Sequence, residues 1–66
     1  MDFGDAIMLA ARGSHVTRQG IDGYIRAAST SEVVGSGFVR VDQSGVAHAW
    51  QCRGDDAAAI DWRAVP

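Results

Sequence analysis

FVRVDQSGVAHAW, residues 38 to 50, is the stretch on which the fold turns. Apolar and polar residues alternate on both sides of Asp42-Gln43-Ser44-Gly45, a four-residue run rich in turn formers. Period-two alternation marks half-buried strands, and a glycine-ending polar run between two of them marks a hairpin. The stretch therefore predicts strands over Phe38–Val41 and Val46–Trp50. On the second strand Val46, His48 and Trp50 share one face.

Working outward toward the N-terminus, Tyr24–Ala28 and Ser14–Arg18 are two more strand candidates, with Gly20 and Gly23 bracketing the turn between them. Before Gly13 the period changes. Phe3, Ala6, Ile7, Ala10 and Ala11 form one apolar stripe at helical spacing, so Asp2–Arg12 is predicted as a helix. Asp2 is its expected N-cap, and Gly13 the left-handed residue that ends it. Met8 and Leu9 lie off that stripe and leave apolar surface for a second subunit. Ser29–Gly37 is small and polar, a loop with Val33 and Val34 as its anchors. Beyond the hairpin, Cys52–Ala59 is expected to form a turn and short helix, and Ile60–Val65 a last strand. The expected class is α+β: one N-terminal helix packed on a small antiparallel sheet.

Sixty-six residues make one domain at most. Folded, such a chain exposes roughly 4,000 Å² and buries only about 60% of its unfolded surface. Small scaffolds compensate with disulfides, metal or oligomerisation. Cys52 is the only cysteine, so no intrachain disulfide exists. His15 and His48 have no zinc-ligand spacing to other donors, so no metal site and no cofactor is expected. Oligomerisation is left, and an apolar content of 47% suits a partly buried surface.

Eight acids against six bases give a net charge of −2, which disfavours binding to polymeric nucleic acid. All six bases are arginine, the residue that grips phosphate or carboxylate bidentately. No apolar run is long enough to span a bilayer, and no signal peptide is seen. The expected compartment is the cytoplasm, which a single free cysteine also fits.

The densest chemistry lies in DDAAAIDW, residues 55 to 62. Adjacent Asp55 and Asp56 diverge in an extended chain and lie about 100° apart on a helix, so they do not converge on one bond as paired catalytic carboxylates must. One of them is expected to cap the turn Ala57-Ala58-Ala59 and the other to face a ligand. Ser14-His15 lacks the context of a hydrolytic triad, and Gly20 and Gly23 form no phosphate loop. Arg53-Gly54-Asp55 spells an adhesion tripeptide that recurs by chance. Trp62 is expected in the core. Trp50, with His48 beside it as a pocket wall, suits a stacking surface for a purine, with carboxylates accepting ribose hydroxyls or base N–H groups.

Two blocks carry a resemblance. In MDFGDAIMLAARGSHVTRQGIDG, the residues Phe3, Gly4, Ala6, Gly13, Val16, Arg18, Gly20 and Gly23 follow the opening of the second Thoeris anti-defence family of phage proteins. Trp50, Asp56, Ala59, Asp61 and Trp62 follow its closing element. The family's Trp-Asn is replaced by Ile21-Asp22, which removes an aromatic from the pocket rim. The middle, Tyr24 to Ala49, is also short. The resemblance implies a homo-oligomeric sponge, a tetramer by first expectation, that sequesters a cyclic nucleotide immune signal in the infected host. The signal would be a cyclic ADP-ribose isomer or a cyclic dinucleotide, bound between subunits without catalysis. It also makes Asp56 the expected ligand contact, Arg18 the cation facing a phosphate, and Ile21, Asp22 and Gly23 the rim, with Phe3, His48 and Trp50 completing the site. The alternatives are a protein-binding module that inhibits a host effector directly and, third, a small nucleotide hydrolase.

Overall fold

The computed structural model describes residues 1–66 as two helices and one five-stranded antiparallel sheet. Along the chain these are α1 (Phe3–Ala11), β1 (His15–Thr17), β2 (Tyr24–Ala27), β3 (Phe38–Val41), β4 (Ala47–Ala49), α2 (Gly54–Ala58) and β5 (Arg63–Val65). The sheet order is β4-β3-β2-β1-β5. Four strands thus form a meander, and the last crosses back to pair with the first.

Local chemistry sets the ends of α1. The Asp2 carboxylate accepts the Asp5 N–H at 2.9 Å, satisfying one of the donors a helix start leaves free. Gly13 stops the helix with a φ of 102°. Ala6 and Ala10 are fully buried, and their small side chains let the helix lie close on the sheet. The buried stripe differs at its edges from the expected one. Leu9 packs against the core while Ala11 is exposed, so of the two residues placed off the stripe only Met8 is free. The reason is geometric: Leu9 stands at i+3 from buried Ala6, about 60° round the helix, whereas Ala11 at i+5 stands about 140° away.

Register assigns the two sheet faces. Val16, Ile25 and Arg40 are cross-strand neighbours, as are Ala27 and Phe38. Their side carries the core of Ala6, Ala10, Val16, Ile25 and Trp62 under α1. The hairpin turn is organised by Asp42, whose Oδ1 accepts the N–H groups of Ser44 (2.9 Å) and Val46 (3.0 Å). At Gly23 a β-carbon would overlap the Val41 carbonyl oxygen, and φ is 90°, so only glycine allows β2 to start this close to β3.

Two expectations are corrected here. The loop after β2 keeps only one of its expected valine anchors and gains a charged one: Val33 is fully exposed and Val34 half-buried, while Glu32 accepts from Arg26 through both oxygens (2.7 and 3.0 Å) and from the Ser29 N–H (2.7 Å). The last strand is Arg63–Val65 and not Ile60–Val65. Ile60 is exposed, and Trp62 leaves the extended path to enter the core, where its indole N–H donates to the Asp56 carbonyl at 3.0 Å.

Candidate functional site

Three elements converge on one open cavity of about 580 Å³: the segment after β1, the end of β4 with the strap that follows it, and the start of α2. Its centre is an ion pair between two blocks far apart in sequence. The Arg18 guanidinium gives Nε to Asp56 Oδ1 at 3.0 Å and Nη2 to the same oxygen at 2.5 Å. Its Nη1 donates to the Gln19 carbonyl at 2.9 Å, and Nη2 also reaches Asp55 at 3.4 Å. Four of five guanidinium N–H groups are therefore engaged within the protein. The Arg18 carbon lies 5.8 Å from the centre of the Trp62 ring, a cation–π contact over the core indole. The Asp56 hydrogen bond raises the Arg18 pKa above its already high ordinary value.

Asp56 is 4% exposed, and its second oxygen accepts the Arg53 N–H at 2.9 Å. This is a cap of α2, made by reaching back from the third helical position. The expectation was a carboxylate accepting N–H groups of Ala57-Ala58-Ala59, with its neighbour free for a ligand. The structure divides the work differently. Asp56 is at once the cap and the partner of Arg18, while Asp55, with 76% of its side chain exposed, is the outward acid.

The other side of the cavity is built by Trp50 and Arg40. The Trp50 ring packs on Phe3 at 6.4 Å and edge-on to Trp62 at 6.3 Å, and its remaining surface is open. Besides the main cavity it lines a hollow of about 450 Å³ with Val34 and Ser36. Arg40 donates to the Asp22 carbonyl at 3.0 Å and stands 3.7 Å from its carboxylate. Cys52 contributes the cavity's only thiol. Desolvation, with the charges of Asp56 and Asp55 behind it, pushes that thiol above its ordinary value and keeps it protonated.

Of the eight residues expected in the site, Arg18, Ile21, Asp22, Trp50 and Asp56 line this cavity together. Three do not. Phe3 lies beneath, against both tryptophans, and lines a separate hollow of about 330 Å³. Gly23 holds the β2–β3 approach, and Gly20 takes its place at the rim. His48 stands opposite Arg40 in register, but its Nε2 is turned to Asp42 at 2.8 Å, within its own hairpin. Arg40, Gln51, Cys52 and Arg53 also line the cavity and were not anticipated, and Asp55 lines it as the one of the two adjacent acids left outward. Arg53 had a signal in the sequence: it is the only base between Trp50 and Trp62. No group of three His, Cys, Asp or Glu side chains stands close enough to hold a metal ion.

No family model matches the chain, and no curated protein or solved structure does. What the site can do rests on its own chemistry.

Proposed function

We propose that this protein is a phage sponge that binds a cyclic nucleotide immune signal and withholds it from the host's effector without cleaving it. The observation that carries the proposal is the cavity itself: an indole with an open surface beside arginines and acids, in a volume typical of small-molecule sites. The resemblance of the two end blocks to the second Thoeris anti-defence family adds support, because the ion pair Arg18–Asp56 joins one block to the other at this cavity.

Binding without turnover suits the state of the cavity's reactive groups. Asp56 and Asp22 are engaged by guanidiniums, and the Cys52 thiol is pushed toward its unreactive form. Sequestration requires affinity and slow release, and it requires no general acid or base. Homotetramer assembly in the cytoplasm of the infected bacterium, with subunits completing each other's sites, belongs to the same proposal.

The test is recovery. Protein is mixed with cyclic ADP-ribose isomers and with cyclic dinucleotides, freed of unbound ligand, heat-denatured, and the supernatant assayed. Intact ligand in stoichiometric amount is the expected result. Cleaved ligand would replace the sponge with an enzyme. No retained nucleotide would favour the second class, a module that binds a host effector protein directly.

A further inference from the structure

The six arginines divide by what holds them. Arg18 is held by Asp56 and Asp55, Arg26 by Glu32, and Arg40 by Asp22. Arg12, Arg53 and Arg63 enter no ion pair. Of these three only Arg53 lines the main cavity; Arg12 lines a hollow on the far flank of α1, and Arg63 lines none. Arg53 joins the internal hydrogen-bond network through its backbone alone: its carbonyl accepts from the Ala57 N–H and the Cys52 thiol, and its N–H is given to Asp56. Those bonds fix its backbone while the guanidinium stays exposed, three residues along the strap from Trp50.

From this arrangement we infer that Arg53 is the phosphate-binding residue of the cavity, with the Trp50 ring taking the base of the same ligand. Arg18, the residue expected in that role, is a strut with one N–H to spare, whereas Arg53 presents all five donors in the planar fork that fits a phosphate. The lining is balanced overall, with Arg18, Arg40 and Arg53 against Asp22, Asp55 and Asp56, so the pairing of these groups, and not net charge, places the anion. Asp56 and Asp22 are neutralised by the guanidiniums they touch, so the uncompensated positive group is Arg53. The surplus negative charge sits on exposed Asp55, which leans on Arg18 and keeps an acceptor oxygen of the kind a ribose hydroxyl needs. Phosphate, flat ring and sugar hydroxyl together specify a ribonucleotide. The inference rests on the nucleotide reading above and adds to it the residue that selects for the phosphate.

The experiment follows the arginine Nε–Hε and tryptophan Nε1–Hε1 resonances of the whole 15N-labelled protein. It is titrated separately with inorganic pyrophosphate, cyclic ADP-ribose and a cyclic dinucleotide. A saturable shift of Arg53 with pyrophosphate, and of Arg53 with Trp50 when a nucleotide binds, is expected, while Arg12 and Arg63 stay in place. Arg53→Gln should weaken the bound nucleotide about tenfold or more. Arg53→Lys should recover part of that loss, and Arg63→Gln should leave affinity unchanged. Equal, unsaturable shifts of Arg12, Arg53 and Arg63 mean general surface attraction and overturn the assignment. Nucleotide binding that leaves Arg53 unmoved overturns it while the sponge stands. A pyrophosphate response with no nucleotide bound keeps Arg53 as an anion site and removes the sponge. No response to any probe removes both.

Discussion

Asp56 accepts from three donors at once, two on Arg18 and one on the backbone of Arg53, and it does so almost entirely out of water. A carboxylate so placed ties β1 to α2. Its removal takes from the Arg18 guanidinium, only 15% exposed, its nearest carboxylate, leaving it the longer contact to Asp55, and leaves the Arg53 N–H uncapped. Breaking one side of such a pair costs far more than an exposed ion pair is worth. Asp56→Ala is therefore expected to lower the melting temperature by about 10 °C or more in so small a domain, as read by circular dichroism. Asp56→Asn, which keeps the volume and one acceptor oxygen, should fall between. A melting temperature equal to wild type would show that the pair holds nothing together. The short motif around Asp56 was visible in the sequence, but its role was not. Which of two adjacent acids turns inward depends on Arg18, 38 residues away, and no local pattern encodes that contact.

Elements were more legible than their ends. Alternation located β3 to the residue, because Val39 and Val41 are buried while Phe38 and Arg40 lie on the other face. Capping chemistry located α1 for a similar reason: Asp2 and Gly13 act on their nearest neighbours. The loop between β2 and β3 was read less well. Val33 and Val34 drew attention as apolar residues, yet Glu32 holds the loop through a direct ion pair with Arg26, six residues back. Its carboxyl is lowered to about 2, chiefly by the Arg26 hydrogen bond and next by the Ser29 N–H. Asp42 is also lowered, first by His48 and then by the Val46 N–H. The folded state thus favours both ionised carboxylates. Their contribution is complete above the ordinary carboxyl range and is lost as pH falls through it toward the folded values. For Glu32 that window runs from 4.5 down to about 2. The melting temperature of the wild type should drop across this window more steeply than that of Glu32→Gln, which has nothing to protonate there. Parallel curves for the two proteins would mean that the clamp contributes no stability.

At the scale of the whole molecule, the protomer buries 9 of its 66 residues and exposes 4169 Å², so little of the chain is far from solvent. The composition and length led to that expectation without any structure, since surface scales with mass in a known way. They did not say which surface a second copy would cover; the apolar pattern of α1 did point to one, the Met8/Leu9 flank. The structure keeps an apolar patch there: Met1 and Met8, 40% and 54% exposed, line a hollow on α1 with Leu9, bordered by Asp5 and Arg12. An isologous contact between two such helices running antiparallel would bring Met8 to Met8 and set Asp5 of each copy near Arg12 of the other. Homo-oligomerisation through this face would make stability depend on protein concentration by mass action. The melting temperature should therefore rise between micromolar and hundred-micromolar protein. Met8→Glu, which places a charge in the middle of the patch on each copy, should abolish that rise and give the mass of a smaller species by light scattering. The secondary structure read by circular dichroism should survive, because Met8 touches none of the core around Trp62. A concentration-independent melting temperature, with the mass of a single chain in both proteins, would mean that the protomer is stable alone and that its cavity must hold any ligand unaided.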